Sequence, residues 1–189
     1  MDDAWKEITG AVIAAIGTII SAIGSTPFPF LTENLQNSLN LIGNVLQATG
    51  NALGADGQET PSLGKLGNEL QSAGNVEVIA SIVLPISSEG SQRLNIMGNF
   101  TQAFGGLVAI ADEVEDDSEE DQYLNIVGNI LQAAGNSLQA IGGIYELQKG
   151  EGSGQSLTVA GSWIQAAGSV ISAQGQIQEE WNDRLQLLI

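Results

Sequence analysis

The stretch Ile126-Val127-Gly128-Asn129-Ile130-Leu131-Gln132-Ala133-Ala134-Gly135-Asn136 holds two Gly-Asn pairs seven residues apart, with Gln132 between them. Seven residues are two turns of an α-helix, so the two glycines lie one above the other on a single side. With glycine at position a of a heptad, Asn129 and Asn136 fall at b and Gln132 and Gln139 at e. Val127, Leu131, Leu138 and Ile141 fill g and d. The apolar arc covers c, g, d and a, and the amides take the opposite side. The stretch predicts an amphipathic helix whose polar face is made of amides instead of charges.

The unit recurs along the chain. Leu41-Ile42-Gly43-Asn44-Val45-Leu46-Gln47-Ala48-Thr49-Gly50-Asn51 and Leu66-Gly67-Asn68-Glu69-Leu70-Gln71-Ser72-Ala73-Gly74-Asn75 repeat it closely. Further copies begin at Gly98 and Gly161, and a degenerate one at Gly10. Such a period denotes one supersecondary unit per repeat. Each glycine inside a helix costs about 1 kcal/mol relative to alanine. A cost repeated this often implies a compensation, namely closer approach of neighbouring helices along the glycine line.

Turn-forming residues punctuate the copies at Ser25–Pro29, Asp56–Pro61, Pro85–Gly90, Glu113–Asp121 and Lys149–Gln155. The expectation is an all-α fold, a six-helix up-down array, either a closed bundle or a short helical solenoid. A single domain over 1–189 would hold units near 2–25, 31–55, 62–84, 91–112, 121–148 and 156–186. Val76 to Leu84 is apolar and β-branched; with no partner strand in view, it reads as a helix end.

Composition narrows the function. Five basic against 22 acidic residues leave a formal charge of −17, which repels nucleic acid and anionic lipid headgroups. The chain has neither cysteine nor histidine, so it lacks thiolate chemistry and the commonest general base and zinc ligand. No catalytic, cofactor-binding or metal-binding residue is singled out, no cofactor is expected, and the chain reads as non-enzymatic. The run Asp112-Glu113-Val114-Glu115-Asp116-Asp117-Ser118-Glu119-Glu120-Asp121 lacks the spacing of a helix-loop-helix calcium site and reads as a solvated loop. Gly150-Glu151-Gly152-Ser153-Gly154-Gln155 lacks the lysine and preceding strand of a phosphate-binding loop and reads as a flexible connector. Trp5, Trp163 and Trp181 read as packing anchors. Glu180 and Arg184, with the stripe Trp181, Leu185 and Leu188, read as a terminal cap.

Ile8 to Ile23 is almost unbroken in apolarity, but the residues before it are net acidic, unlike a secretory leader. It reads as the first repeat, and the chain as cytoplasmic, with spore or envelope association left open. Charges avoid the helix bodies: none lies between Glu33 and Asp56, Arg93 and Asp112, Asp121 and Glu146, or Glu151 and Glu179.

At Gly128-Asn129-Ile130-Leu131-Gln132-Ala133-Ala134-Gly135-Asn136 and Gly161-Ser162-Trp163-Ile164-Gln165-Ala166-Ala167-Gly168, the chain resembles uncharacterised glycine-rich repetitive helical proteins of spore-forming Gram-positive bacteria. The resemblance implies no activity and carries over no functional residues; it favours a bacterial structural or envelope-associated role.

The charge-free amide faces admit competing readings. In the preferred one they are the solvent side, or bond to one another across helices or between copies, in a non-enzymatic structural or self-associating protein whose partner is itself or another protein. In the alternative the helices enter a membrane, leucine and isoleucine outward and asparagine and glutamine lining a lumen. A third is an acidic binding module for a cationic protein partner. Nucleic acid is excluded as a partner, and a membrane is not favoured.

Overall fold

The computed structural model describes residues 3–58, 60–115 and 122–186, and the side chains of 115 and 183–186 lie outside that description. Six α-helices follow one another: α1 Asp3–Ser25, α2 Glu33–Gly57, α3 Leu63–Val83, α4 Ser88–Glu115, α5 Gln122–Lys149 and α6 Gln155–Gln186. The described residues contain no strand, and the Val76 to Leu84 stretch is helical through Val83. The helix ends carry ordinary chemistry. Thr32 and Ser62 are N-caps, their hydroxyls accepting from the amides of Leu35 and Lys65. Asp112 Oδ1 also accepts from the Leu63 amide at 3.0 Å, placing a carboxylate at the positive end of α3. Between α5 and α6, Gly150 and Gly152 adopt φ of 99° and 81°, left-handed values that an L side chain would resist. Ser153 is part of that turn, donating to the carbonyls of Tyr145 and Gly150.

The helices form a closed ring. Each packs its backbone only against its two neighbours, and α6 returns to α1, which distinguishes a barrel from an open solenoid. Packing is closest within three antiparallel hairpins, α1–α2, α3–α4 and α5–α6, and lighter at the seams between them.

The glycine line explains the difference. A Cβ on Gly10 would stand 2.5 Å from the Gly50 carbonyl oxygen and 2.7 Å from the Gly54 amide nitrogen. One on Gly74 would meet the Gly98 oxygen at 2.6 Å, and one on Gly135 the Gly161 oxygen and Gln165 nitrogen, both at 2.5 Å. Backbone therefore lies on backbone inside each hairpin. The seams are made differently, by small residues at heptad position f: Ala15, Ala22, Ala55, Ala103, Ala133, Ala140, Ala166 and Ala173 are all buried.

Heptad geometry accounts for the ring. At 100° per residue, positions a, e, b and f fill one continuous arc of about 140°, with a and f at its edges. The edges meet the two neighbouring helices, so the residues between them, e and b, turn inward. Positions c, g and d are left facing out.

Candidate functional site: an amide-lined lumen

The inward positions carry the amides. Gln47, Gln71, Gln102, Gln132 and Gln165, all at e, are 3 to 8% exposed, and Asn44, Asn75, Asn99 and Asn136, at b, are buried with them. The amide faces are thus neither a solvent side nor open to another copy; they line the interior. The asparagines satisfy themselves locally. Asn44, Asn75 and Asn99 each donate through Nδ2 to the carbonyl four residues earlier, at 2.8 to 2.9 Å. Asn75 Oδ1 is left as a buried acceptor with no hydrogen-bond partner.

The glutamines reach across. Gln47 Nε2 donates to Ser21 Oγ at 3.1 Å, and Gln132 Nε2 to Ser172 Oγ at 3.0 Å, each tying one hairpin together. Gln139 Nε2 donates to Gln165 Oε1 at 2.9 Å. Gln165 Nε2 then donates to Gln47 Oε1 at 2.8 Å and to Gln102 Oε1 at 3.3 Å. Gln47, Gln102 and Gln165 occupy the same heptad position on the second helix of each hairpin, four residues after Gly43, Gly98 and Gly161. All three hairpins therefore meet at one carboxamide layer in the middle of the barrel. Polar groups buried this way are tolerated only when bonded, and linked bonds of this kind strengthen one another.

A cavity lies to either side of this layer. One of about 490 Å³ opens where α1, α3 and α5 begin, and its lining includes Gln71, Gln132 and the carboxylates Asp3, Glu7, Asp112, Glu113, Glu179 and Glu180. Among the described residues, no lysine or arginine lines it. The other, about 750 Å³, is lined by Asn40, Asn44, Asn95, Asn99, Gln139 and the central glutamines, with Glu146 and Glu151 nearer its mouth. The first mouth is crowded enough to affect titration. Glu7, on the turn just before the apolar run, is pushed up to about 7 by burial, then by the carboxylates of Glu180 and Asp3, against an opposing hydrogen bond with Gln58. Lys6 lies beside the mouth in ion pairs with Asp3 at 2.8 Å and Asp56 at 3.1 Å.

The outside is apolar. Ile16, Ile42, Val76, Phe104, Ile130 and Val170, one from each helix, are 45 to 59% exposed, and Val12, Ile19, Val45, Met97, Phe100 and Leu107 extend the surface. Glu69 and Glu77 on α3 interrupt it; the Glu77 carboxylate accepts a hydrogen bond from the Thr101 hydroxyl. The tryptophans are not core anchors. Trp5, Trp163 and Trp181 are exposed, as are Tyr123 and Tyr145. They gather at the two ends of the barrel: Trp5, Tyr123 and Trp181 at the acidic mouth, Tyr145 and Trp163 at the other, where Trp163 Nε1 donates to Thr26 Oγ1.

Several sequence expectations resolve differently here. The acidic run is described only as far as Glu115; Asp116 to Asp121 lie outside the described residues, as do Leu188 and the side chains of Arg184 and Leu185 in the expected cap. Among the described residues, no three carboxylates are placed to hold a metal ion. What sequence reasoning missed is the central layer. Its signal was present, in the glutamine found four residues after a glycine in five of the six units.

These features define a class of structure: a closed six-helix barrel with a polar interior and an apolar exterior. The chain belongs to a family of unknown function, DUF6944, whose profile matches residues 5–173. No curated protein and no solved structure matches it.

Proposed function

We propose that this chain is a non-enzymatic helical barrel that sits in a lipid bilayer and encloses a polar pathway. The observation that carries the reading is the inversion: amides and hydroxyls inside, aliphatic side chains outside, on every helix of the ring. Contiguous exposed apolar surface beyond a few hundred Å² marks an interface with protein or membrane. A second copy would cover one flank of a barrel, whereas this surface runs around its circumference, broken on α3 by Glu69 and Glu77. Charge-free helix lengths agree with lipid. On α1, α2, α4, α5 and α6 they run from 18 residues in α4, between Arg93 and Asp112, to 24 in α5 and α6, or about 27 to 36 Å at 1.5 Å per residue, against about 30 Å of hydrocarbon, whereas α3 carries Lys65, Glu69 and Glu77 within its length. Phe100 and Phe104 near the middle of α4, with tryptophan and tyrosine at both rims, give the arrangement that bilayer interfaces favour, Phe28 and Phe30 lying in the loop between α1 and α2.

Among the described residues, α1 alone is long and apolar enough to cross a membrane by itself. In a barrel the other helices need not be, because their amides are turned away from lipid and every backbone bond is made within the helix. This reading departs from the expected cytoplasmic address and from a role in self-association. It leaves catalysis out: the chain has no histidine or cysteine, the central layer offers amides and hydroxyls, and the carboxylates stand toward the mouths.

The test is flotation of the purified chain with phosphatidylcholine vesicles, paired with its solution molar mass by light scattering. Co-flotation that resists high salt, with a defined particle in detergent and aggregation without it, is the expected result. A discrete water-soluble multimer that stays at the bottom of the gradient would mean that copies cover the apolar surface, and would overturn the bilayer reading. Salt-sensitive binding to a basic protein without flotation would point to the acidic binding module.

A further inference from the structure

We infer that the central carboxamide layer of Gln47, Gln102 and Gln165 is the filter of the lumen, and that it admits water and small uncharged hydrogen-bonding solutes in preference to ions. The inference rests on the bilayer reading and adds to it the class of solute. Each hairpin supplies one glutamine, and the Gln165 amide group bonds to both of the others, so the layer bridges the axis and separates two cavities of about 490 and 750 Å³. To pass, a solute must replace those bonds. Water and small polyols or amides both donate and accept, so they can exchange partners with a carboxamide one for one. An ion has to shed its hydration at a layer that carries no charge. Within the layer, the carbonyl oxygens of Gln47 and Gln102 are already turned to the Gln165 donor, and that of Gln165 to Gln139. Carboxylates stand toward the mouths, where they concentrate cations without forming part of the central layer.

The experiment uses the full chain in phosphatidylcholine vesicles, reading water and glycerol permeation by stopped-flow light scattering and potassium permeation by a diffusion-potential dye. Wild type should raise water and glycerol permeation above empty vesicles and leave potassium at the empty-vesicle level. Gln165→Ala, losing both bridging bonds, should raise glycerol permeation by roughly tenfold, the scale of two ordinary hydrogen bonds. Should that variant lose its helical circular dichroism, Gln102→Ala, which removes only the 3.3 Å bond, takes its place with a smaller rise expected. Floated protein with permeation equal to that of empty vesicles in wild type and variants would overturn the filter while leaving the bilayer reading intact. Potassium entry through wild type matching that of glycerol would overturn the selectivity. Failure to float would overturn the bilayer reading and the filter with it.

Discussion

A single methyl group separates two kinds of glycine in this chain. Gly135 lies against the α6 backbone, so a Cβ there has no room unless the helices part. Gly54 also sits in a helix, but a Cβ would meet only the Asn68 side chain, at 3.4 Å. Gly135→Ala should therefore destabilise the barrel by roughly 1–3 kcal/mol through overpacking, whereas Gly54→Ala should be neutral or gain up to about 1 kcal/mol of helix propensity. Thermal melts of the two variants in the same detergent check the pair. Glu7 makes a second residue-scale case. Its folded pKa of about 7 exceeds the ordinary carboxylate value of 4.5, so between those limits the folded state binds more protons than the unfolded. Its contribution to stability is accordingly lost as pH rises from about 4.5 to 7, and ionised Glu7 opposes folding above that window. Glu7→Gln should raise Tm at pH 8 and flatten the pH dependence between 5 and 8; an unchanged profile would show that the acidic mouth does not strain this carboxylate.

At the level of elements, the helices were legible and their orientation was not. Glycine spacing and turn residues located all six, with boundaries within about three residues of those observed. The sevenfold period also identified the close-contact edge of each helix. It could not say which broad face meets solvent, because amphipathicity separates two faces without assigning a medium to either. Amides without charge fit water, a neighbouring helix or a lumen equally well. What decides is the alanine at f: glycine on one edge and alanine on the other make two contact edges about 140° apart, and only the wedge between them can face inward. The tryptophans were misread for a related reason, since bulk and apolarity look alike whether a ring packs in a core or anchors at a lipid boundary. The outward faces can be tested by depth. Phe104 lies near the middle of α4 and Tyr123 at the start of α5. Phe104→Lys should cost about 2.5–3.5 kcal/mol of bilayer partition, Tyr123→Lys much less, and flotation of the two variants reads the difference. Equal effects would argue against a depth-dependent medium around the barrel.

For the whole molecule, closure of the ring is the property no repeat announces by itself, since the same unit could have stacked into an open superhelix. Closure needs α1 and α6 to meet, and the central glutamines join the three hairpins from within, so the lumen and the fold depend on the same side chains. The helices alternate in direction around that ring, and this has an electrical consequence. Each carries a dipole equivalent to about half an elementary charge at either end, positive at its start. With three pointing each way, their axial fields oppose and largely cancel, so the peptide backbone sets up no gradient from one opening to the other. The polarity of the passage is left to side chains, and these are unequal: among the described residues, six carboxylates line one cavity and two the other. A barrel built from nearly symmetric hairpins thereby acquires a front and a back from a few acidic residues alone.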